Sequence, residues 1–155
     1  MMKALSIKQP MRIYIAARFD RLPEMNIHAD ELRQKGHIVD CRWLNGSHQL
    51  HPGAEQLDGS AGFISVDEGV TMQALPFALD DVEDLAAADA IILFSEWPES
   101  HSKRGGRHVE FGIALGLNKK LFIVGPPREN VFHCLPQVTR FNTWPECLGF
   151  FEVKR

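Results

Sequence analysis

RGGRHVEFGIALGLNKKLFIVGPP, residues Arg104 to Pro127, reads as a glycine turn, a helix, a short connection and a buried strand. Gly105 and Gly106 lack a Cβ, so they permit a tight turn beside a ligand, and the helix amides that follow them begin unpaired. An anion or a sugar oxygen is well received at such an opening. Glu110 is placed in the first turn of that helix, where the macrodipole favours a carboxylate and is expected to keep its pKa low. A carboxylate held ionised beside an open glycine mouth suits attack on an electrophilic carbon. A Glu early in a helix is also ordinary helix chemistry, so this feature alone leaves both readings open.

Working outward, continuous apolar runs mark strands covered on both faces: Ala90-Ile91-Ile92-Leu93-Phe94 upstream and Lys120-Leu121-Phe122-Ile123-Val124 within the stretch itself. Arg12 to Ala17 is a third short run, and Gln137 to Phe141 a last one. His37 to Leu44 mixes apolar and polar residues as an outer strand would. Helical spacing over Leu22–Lys35, closed by Gly36, and over Ala78–Asp89 supplies the crossovers, with a closing helix over Trp144–Phe151. Strands alternating with helices predict an α/β fold: a three-layer, doubly wound sheet of five parallel strands, flavodoxin-like or Rossmann-like in scale. One domain over residues 1–155 is expected, with 45–69, where periodicity is lost among glycines and prolines, as a lid or mobile loop.

Composition narrows the function classes. The hydrophobic fraction of 45% and charged fraction of 24% are those of a globular chain. No apolar run reaches the roughly 20 residues of a membrane span, and the start lacks a signal-peptide pattern, so a cytoplasmic location is expected. A net charge of −3 offers no general attraction for a nucleic-acid polymer. Three cysteines without a CxxC pair fit free thiols. GxGxxG and GxxxxGK[ST] are both missing, His101, His108, His133 and Cys134 match no standard zinc spacing, and Ser95 and Ser102 lack a nucleophile elbow. No metal or organic cofactor is therefore expected.

In an open parallel sheet, ligands bind at the carboxyl ends of the strands. The loops after Ala17, Phe94 and Val124 are then predicted to converge, with Glu110 entering from the central helix and Asp80 and Asp81 closing from the helix before Phe94. Two carboxylates on one sugar are the ordinary apparatus of glycosidic cleavage. Asp81 also reads as a plain helix-start acid. Arg18, just after the first strand, is placed to face a phosphate, and Asn130 opens the loop after Gly125-Pro126-Pro127.

These residues resemble the nucleoside 2-deoxyribosyltransferase family and the related nucleoside 5′-monophosphate N-glycosidases. The resemblance rests on Ile13-Tyr14-Ile15-Ala16-Ala17, on Asp81-Val82-Glu83-Asp84-Leu85 with Asp89-Ala90-Ile91-Ile92-Leu93, and on Gly105-Gly106-Arg107-His108-Val109-Glu110-Phe111-Gly112, in that order along most of the chain. It implies an enzyme in which Glu110 is the nucleophile at the anomeric carbon, Asp81 the acid serving the leaving base, and Tyr14 a ligand residue of the first strand. Arg18, Gly105, Gly106, Arg107 and Asn130 complete the candidate substrate-binding set. A nucleoside or nucleotide substrate and a homodimer or higher homo-oligomer are further implications. Six positions before the nucleophile the family often carries an acid or a serine; this chain has Arg104 there, which with Arg107 makes a cationic rim suited to phosphate. A non-catalytic nucleotide-sensing module of the same fold is the alternative. A cytokinin-activating type of phosphoribohydrolase fits less well, since its PGGxGTxxE pattern is not matched.

Overall fold

The computed structural model describes residues 7, 9–46, 68–97, 105–127 and 129–153, with the side chains of 68–74 excepted. The apolar runs become β1 (Ile13–Ala16), β2 (Ala90–Phe94), β3 (Lys120–Val124) and β4 (Val138–Phe141). They pair in parallel in the order β1-β2-β3-β4. The helices are α1 (Leu22–Gln34), α2 (Glu68–Ala87), α3 (Gly106–Gly116) and α4 (Trp144–Phe150). Every residue of β1 and β2 is buried, as a central strand covered on both faces requires. No helix among the described residues is long and apolar enough to cross a membrane.

Among the described residues the sheet has four strands rather than the expected five. His37 to Leu44 contributes a single parallel bridge, Arg12 with Ile38, and then turns into a 3-10 helix at Arg42–Asn45. Side chains take over the ladder's work beyond that bridge. Trp43 Nε1 donates to the Ile15 carbonyl at 2.8 Å, and the Ile15 amide donates to Cys41 Sγ at 3.3 Å. The free edge of β1 is thereby satisfied without a full strand, and the spatial order remains the flavodoxin-like one with its outer strand reduced to a stub.

Parallel register decides which side chains share a face. Tyr14, Ile91 and Leu121 are aligned partners, and two residues on Ala16, Leu93 and Ile123 continue the same face. This face receives α2 and α3. The opposite face carries Phe94 and Phe122, packed against His28 of α1, Trp144 of α4 and Phe151 just beyond it. The expected α/β architecture with helices on both faces is therefore present. Helix α2 begins ten residues before the Ala78 start that periodicity suggested, and it runs through Pro76.

Two chain crossings fix the carboxyl edge. Ser95, buried at the end of β2, donates from its amide to the Val124 carbonyl at 2.9 Å, and its Oγ donates to the Pro126 carbonyl at 2.7 Å. Gly125 turns with φ of +114°, and a Cβ there would stand 3.0 Å from Ser95 Oγ and 3.1 Å from the Ser95 carbonyl. Both the conformation and the space exclude a side chain. Gly125→Ala is expected to lower unfolding free energy by about 1–3 kcal/mol in urea titration, whereas Gly36→Ala, also at positive φ but with open space around it, is expected to cost less.

Candidate active site

Three elements of one face bring Tyr14, Asp81 and Glu110 together. Tyr14 projects from the second position of β1 and is fully buried. Asp81 lies four residues before Leu85 and seven before Ala88, both buried, so helical spacing turns it inward from α2, and its Oδ1 is buried. Glu110 lies three residues after Arg107 and flanks the buried stripe Arg107, Phe111 and Ala114 of α3. The Tyr14 hydroxyl donates to Glu110 Oε1 at 3.1 Å.

The division of labour between neighbouring acids on α2 follows from Arg42. Its guanidinium pairs with Asp80 at 2.8 Å, Glu83 at 2.6 Å and Asp84 at 2.9 Å, and the Arg42 amide also donates to Asp84. Asp80 is thus committed to the α2 anchor and does not close over the site as expected. Asp81, next in sequence, points the other way.

Glu110 departs from expectation in two respects. Helix α3 starts at Gly106, which puts Glu110 in its second turn, beyond the favourable end of the dipole. Its pKa is raised to about 8 rather than kept low, first because burial desolvates the carboxylate and next because Asp81 adds like charge. The Tyr14 hydrogen bond and the Arg107 cation oppose that rise without cancelling it. Tyr14 is itself driven upward by desolvation, then by Glu110 and Asp81, so it stays a neutral hydroxyl and a permanent donor. Two facing carboxyls in such a setting are favoured with one proton between them. That is the state in which one can attack and the other can donate.

The binding candidates are distributed unevenly. Gly105 and Gly106 are exposed at the start of α3, with φ of −91° at Gly105, and a Cβ at either would meet nothing within 4 Å. Packing in the described residues therefore does not demand glycine at either position. Arg18 lies after β1 and pairs with Asp20 at 2.6 Å, remaining partly exposed. Asn130 caps the 3-10 helix Val131–Cys134 by accepting from the Phe132 amide at 3.0 Å. Arg107 is a correction: its side chain is only 3% exposed and is ion-paired with Glu129, so it belongs to the interior and not to a cationic rim. Arg104 and residues 47–67 of the expected lid lie outside the described residues, as do His101 and Ser102.

One feature, Glu129, escaped the sequence reading. Glu129 accepts from the Glu96 amide at 3.0 Å, pairs with Arg107 and stands 3.5 Å from His108. A carboxylate just past the carboxyl end of a buried strand was a signal that position alone offered. His133, 1% exposed, lies against His108 and Phe111, and burial first, then His108, lowers its pKa to about 4. Among the described residues no group of three or more His, Cys, Asp or Glu is arranged to hold a metal ion.

No protein-family model matches the chain, and no curated protein is significantly similar to it. Solved structures do share its fold. A 2-deoxyribosyltransferase from the psychrotolerant bacterium Bacillus psychrosaccharolyticus superposes with a TM-score of 0.59 at 17% identity, over 93% of this chain and 98% of that one. The CMP N-glycosidase BcmB of Clostridium botulinum gives a TM-score of 0.50 at 22% identity, over 89% of this chain and 94% of that one. The architecture is thus that of the nucleoside deoxyribosyltransferase-like structures that the sequence resembles.

A titration follows from the raised Glu110 pKa. Between the ordinary carboxyl pKa and about 8 the folded chain holds a proton at Glu110 that the unfolded chain has released, so this group's contribution to stability declines as pH rises through that window. Urea unfolding of the wild type and of Glu110→Gln is expected to show the variant gaining in relative stability from pH 5 to pH 8.5. A difference independent of pH would contradict the placement of Glu110.

Proposed function

We propose that the chain is an enzyme that breaks the N-glycosidic bond of a nucleoside or its 5′-monophosphate and passes the pentose to water or to a second base. The observation that carries this reading is the Tyr14 hydroxyl on Glu110 in a half-buried site that Glu110 shares electrostatically with Asp81. The similar structures named above support it, since they are those of a 2-deoxyribosyltransferase and a CMP N-glycosidase.

A Glu110 carboxylate oxygen bonds to C1′ while the C1′–N bond breaks, and the proton held by Asp81 goes to the departing base. Tyr14 keeps donating to the other charge-bearing position of the carboxyl and fixes its orientation through the reaction. Water or an acceptor base then attacks C1′, Asp81 takes back the proton, and Glu110 leaves as a carboxylate. Turnover needs the pair to keep its one shared proton for the leaving base, so activity is expected to fall as pH rises above about 8, where that proton is lost.

Binding of the sugar is assigned to the exposed Gly105 and Gly106 amide end of α3, with Arg18 and Asn130 at the neighbouring loops. With Arg107 internal, support for a phosphorylated substrate rests on Arg18 alone among the described cations of the candidate set. No metal or organic cofactor enters any step.

The test is release of base from a panel of ribo- and deoxyribonucleosides and their 5′-monophosphates, with and without an acceptor base, followed by chromatography. Turnover in the wild type is expected to fall by about a thousandfold or more in Glu110→Gln and Glu110→Ala, with the fold retained. Full activity in either variant would refute the role of Glu110. Tight binding of a panel member without turnover would favour the sensing module instead.

Assembly into a homodimer completes the proposal. Leu75, Leu79 and Val82 are exposed at helical spacing on α2, and Val109 is exposed on the neighbouring α3. Light scattering behind size exclusion is expected to give twice the chain mass. A monomer at micromolar concentration would contradict it.

A further inference from the structure

The loops at the carboxyl ends of β2 and β3 and the first turn of α3 are joined by a single side chain. Glu129 Oε2 accepts from the Glu96 amide at 3.0 Å, while Oε1 takes the Arg107 guanidinium and stands 3.5 Å from His108 Nε2. The Glu96 side chain in turn pairs with Arg21 at 2.9 Å, and Arg21 lies over the Phe94 ring, 5.2 Å from its centroid. Two ion pairs, Arg21 with Glu96 and Arg107 with Glu129, joined through the Glu96 amide, thus span from the start of α1 to the start of α3.

The Arg107–Glu129 pair is shielded from solvent: the Arg107 side chain is 3% exposed and that of Glu129 is 10% exposed. Neither is therefore open to a substrate in the way Gly105 is. Arg107 precedes Glu110 by three residues, so the two are neighbours on one face of α3. Fixing the guanidinium fixes the rotation and height of the turn from which Glu110 projects. A carboxylate displaced by about 1 Å from its reacting carbon is enough to cost about a hundredfold in rate.

We infer that Glu129 is a positioning residue of the site, which clamps Arg107 and the first turn of α3 to the loops after β2 and β3 and so sets where the Glu110 carboxyl stands. This rests on the reading of Glu110 as the nucleophile. The clamp has an electrostatic side as well. Among the described residues the groups facing Glu110 are Tyr14 from β1, Asp81 from α2 and Arg107 from α3, and Arg107 is the cation among them that favours the carboxylate. Glu129 cancels part of that cation's field, so replacing it with a neutral amide leaves more positive charge acting on Glu110.

Glu129→Gln keeps an acceptor for the Glu96 amide and removes the charge. Its kcat is expected to fall about tenfold or more with KM little changed, since the clamp touches no substrate. In the free protein, the Glu110 carboxyl followed by carbon-13 NMR, assigned by its loss in Glu110→Gln, is expected to titrate about half a unit or more lower than in the wild type. Glu129→Asp, which retains the charge on a shorter stem, is expected to restore the titration and part of kcat. A merely structural salt bridge would lower thermal stability and leave the Glu110 titration and the kcat of the folded fraction unchanged, and that result overturns the inference. Should Glu129→Gln fail to fold, Arg107→Lys serves, with a kcat loss expected and unchanged kcat contradicting the clamp. A wild type that turns over no member of the substrate panel would end the functional reading, while the NMR titration would still decide for or against Glu129.

Discussion

A hydrogen bond from Tyr14 to Glu110, carried across the α2/α3 face of a parallel sheet, is the contact on which the site depends. It joins the second residue of the first strand to the second turn of the central helix, 96 positions later in the chain. Burial makes that contact consequential. A tyrosine and two acids share a region with little water, where each negative charge raises the cost of the next. The result is a carboxyl favoured in its protonated form near neutrality, next to a second acid and a fixed donor. A solvated glutamate would be ionised at all times and would gain nothing from Asp81.

The rest of the fold keeps this arrangement in place. Arg42 gathers Asp80, Glu83 and Asp84, which pins α2 and leaves Asp81 to face inward. Asp89 receives the Arg12 amide at 2.8 Å and ties the end of α2 to the start of β1, the strand that carries Tyr14. Ser95 and Gly125 approach too closely for any side chain at Gly125, which holds the ends of β2 and β3 in register. Glu129 then connects those ends to α3. Each device acts on one of the three elements that bring a functional group to the face.

Much of this was legible in the sequence because it follows from periodicity. Continuous apolar runs at Ala90–Phe94 and Lys120–Val124 can only be covered strands, and the crossovers between them dictate a parallel sheet. The meeting of Tyr14, Asp81 and Glu110 was reached through the order of motifs, since no local rule sets distances between residues so far apart. What stayed hidden depends on tertiary context. His37 to Leu44 has the composition of an edge strand, yet the Trp43 indole and the Cys41 thiol satisfy the β1 edge and let the backbone turn away. Arg107 reads as a surface cation until its partner Glu129, 22 residues on, draws it inside. The Glu110 pKa was misjudged for a related reason: a dipole argument is local, whereas desolvation and the charge of Asp81 come from elsewhere in the chain.

The central claim is that a Glu110 oxygen bonds to a sugar carbon. Mass spectrometry of the intact protein and of its proteolytic peptides, after incubation with a nucleoside or nucleotide whose 2′-fluorine slows release of the pentose, tests this directly. A pentosyl mass increment is expected on the peptide containing Glu110 and none in Glu110→Gln. Base release from the same compound with no adduct on Glu110, or an adduct on another residue, would contradict it.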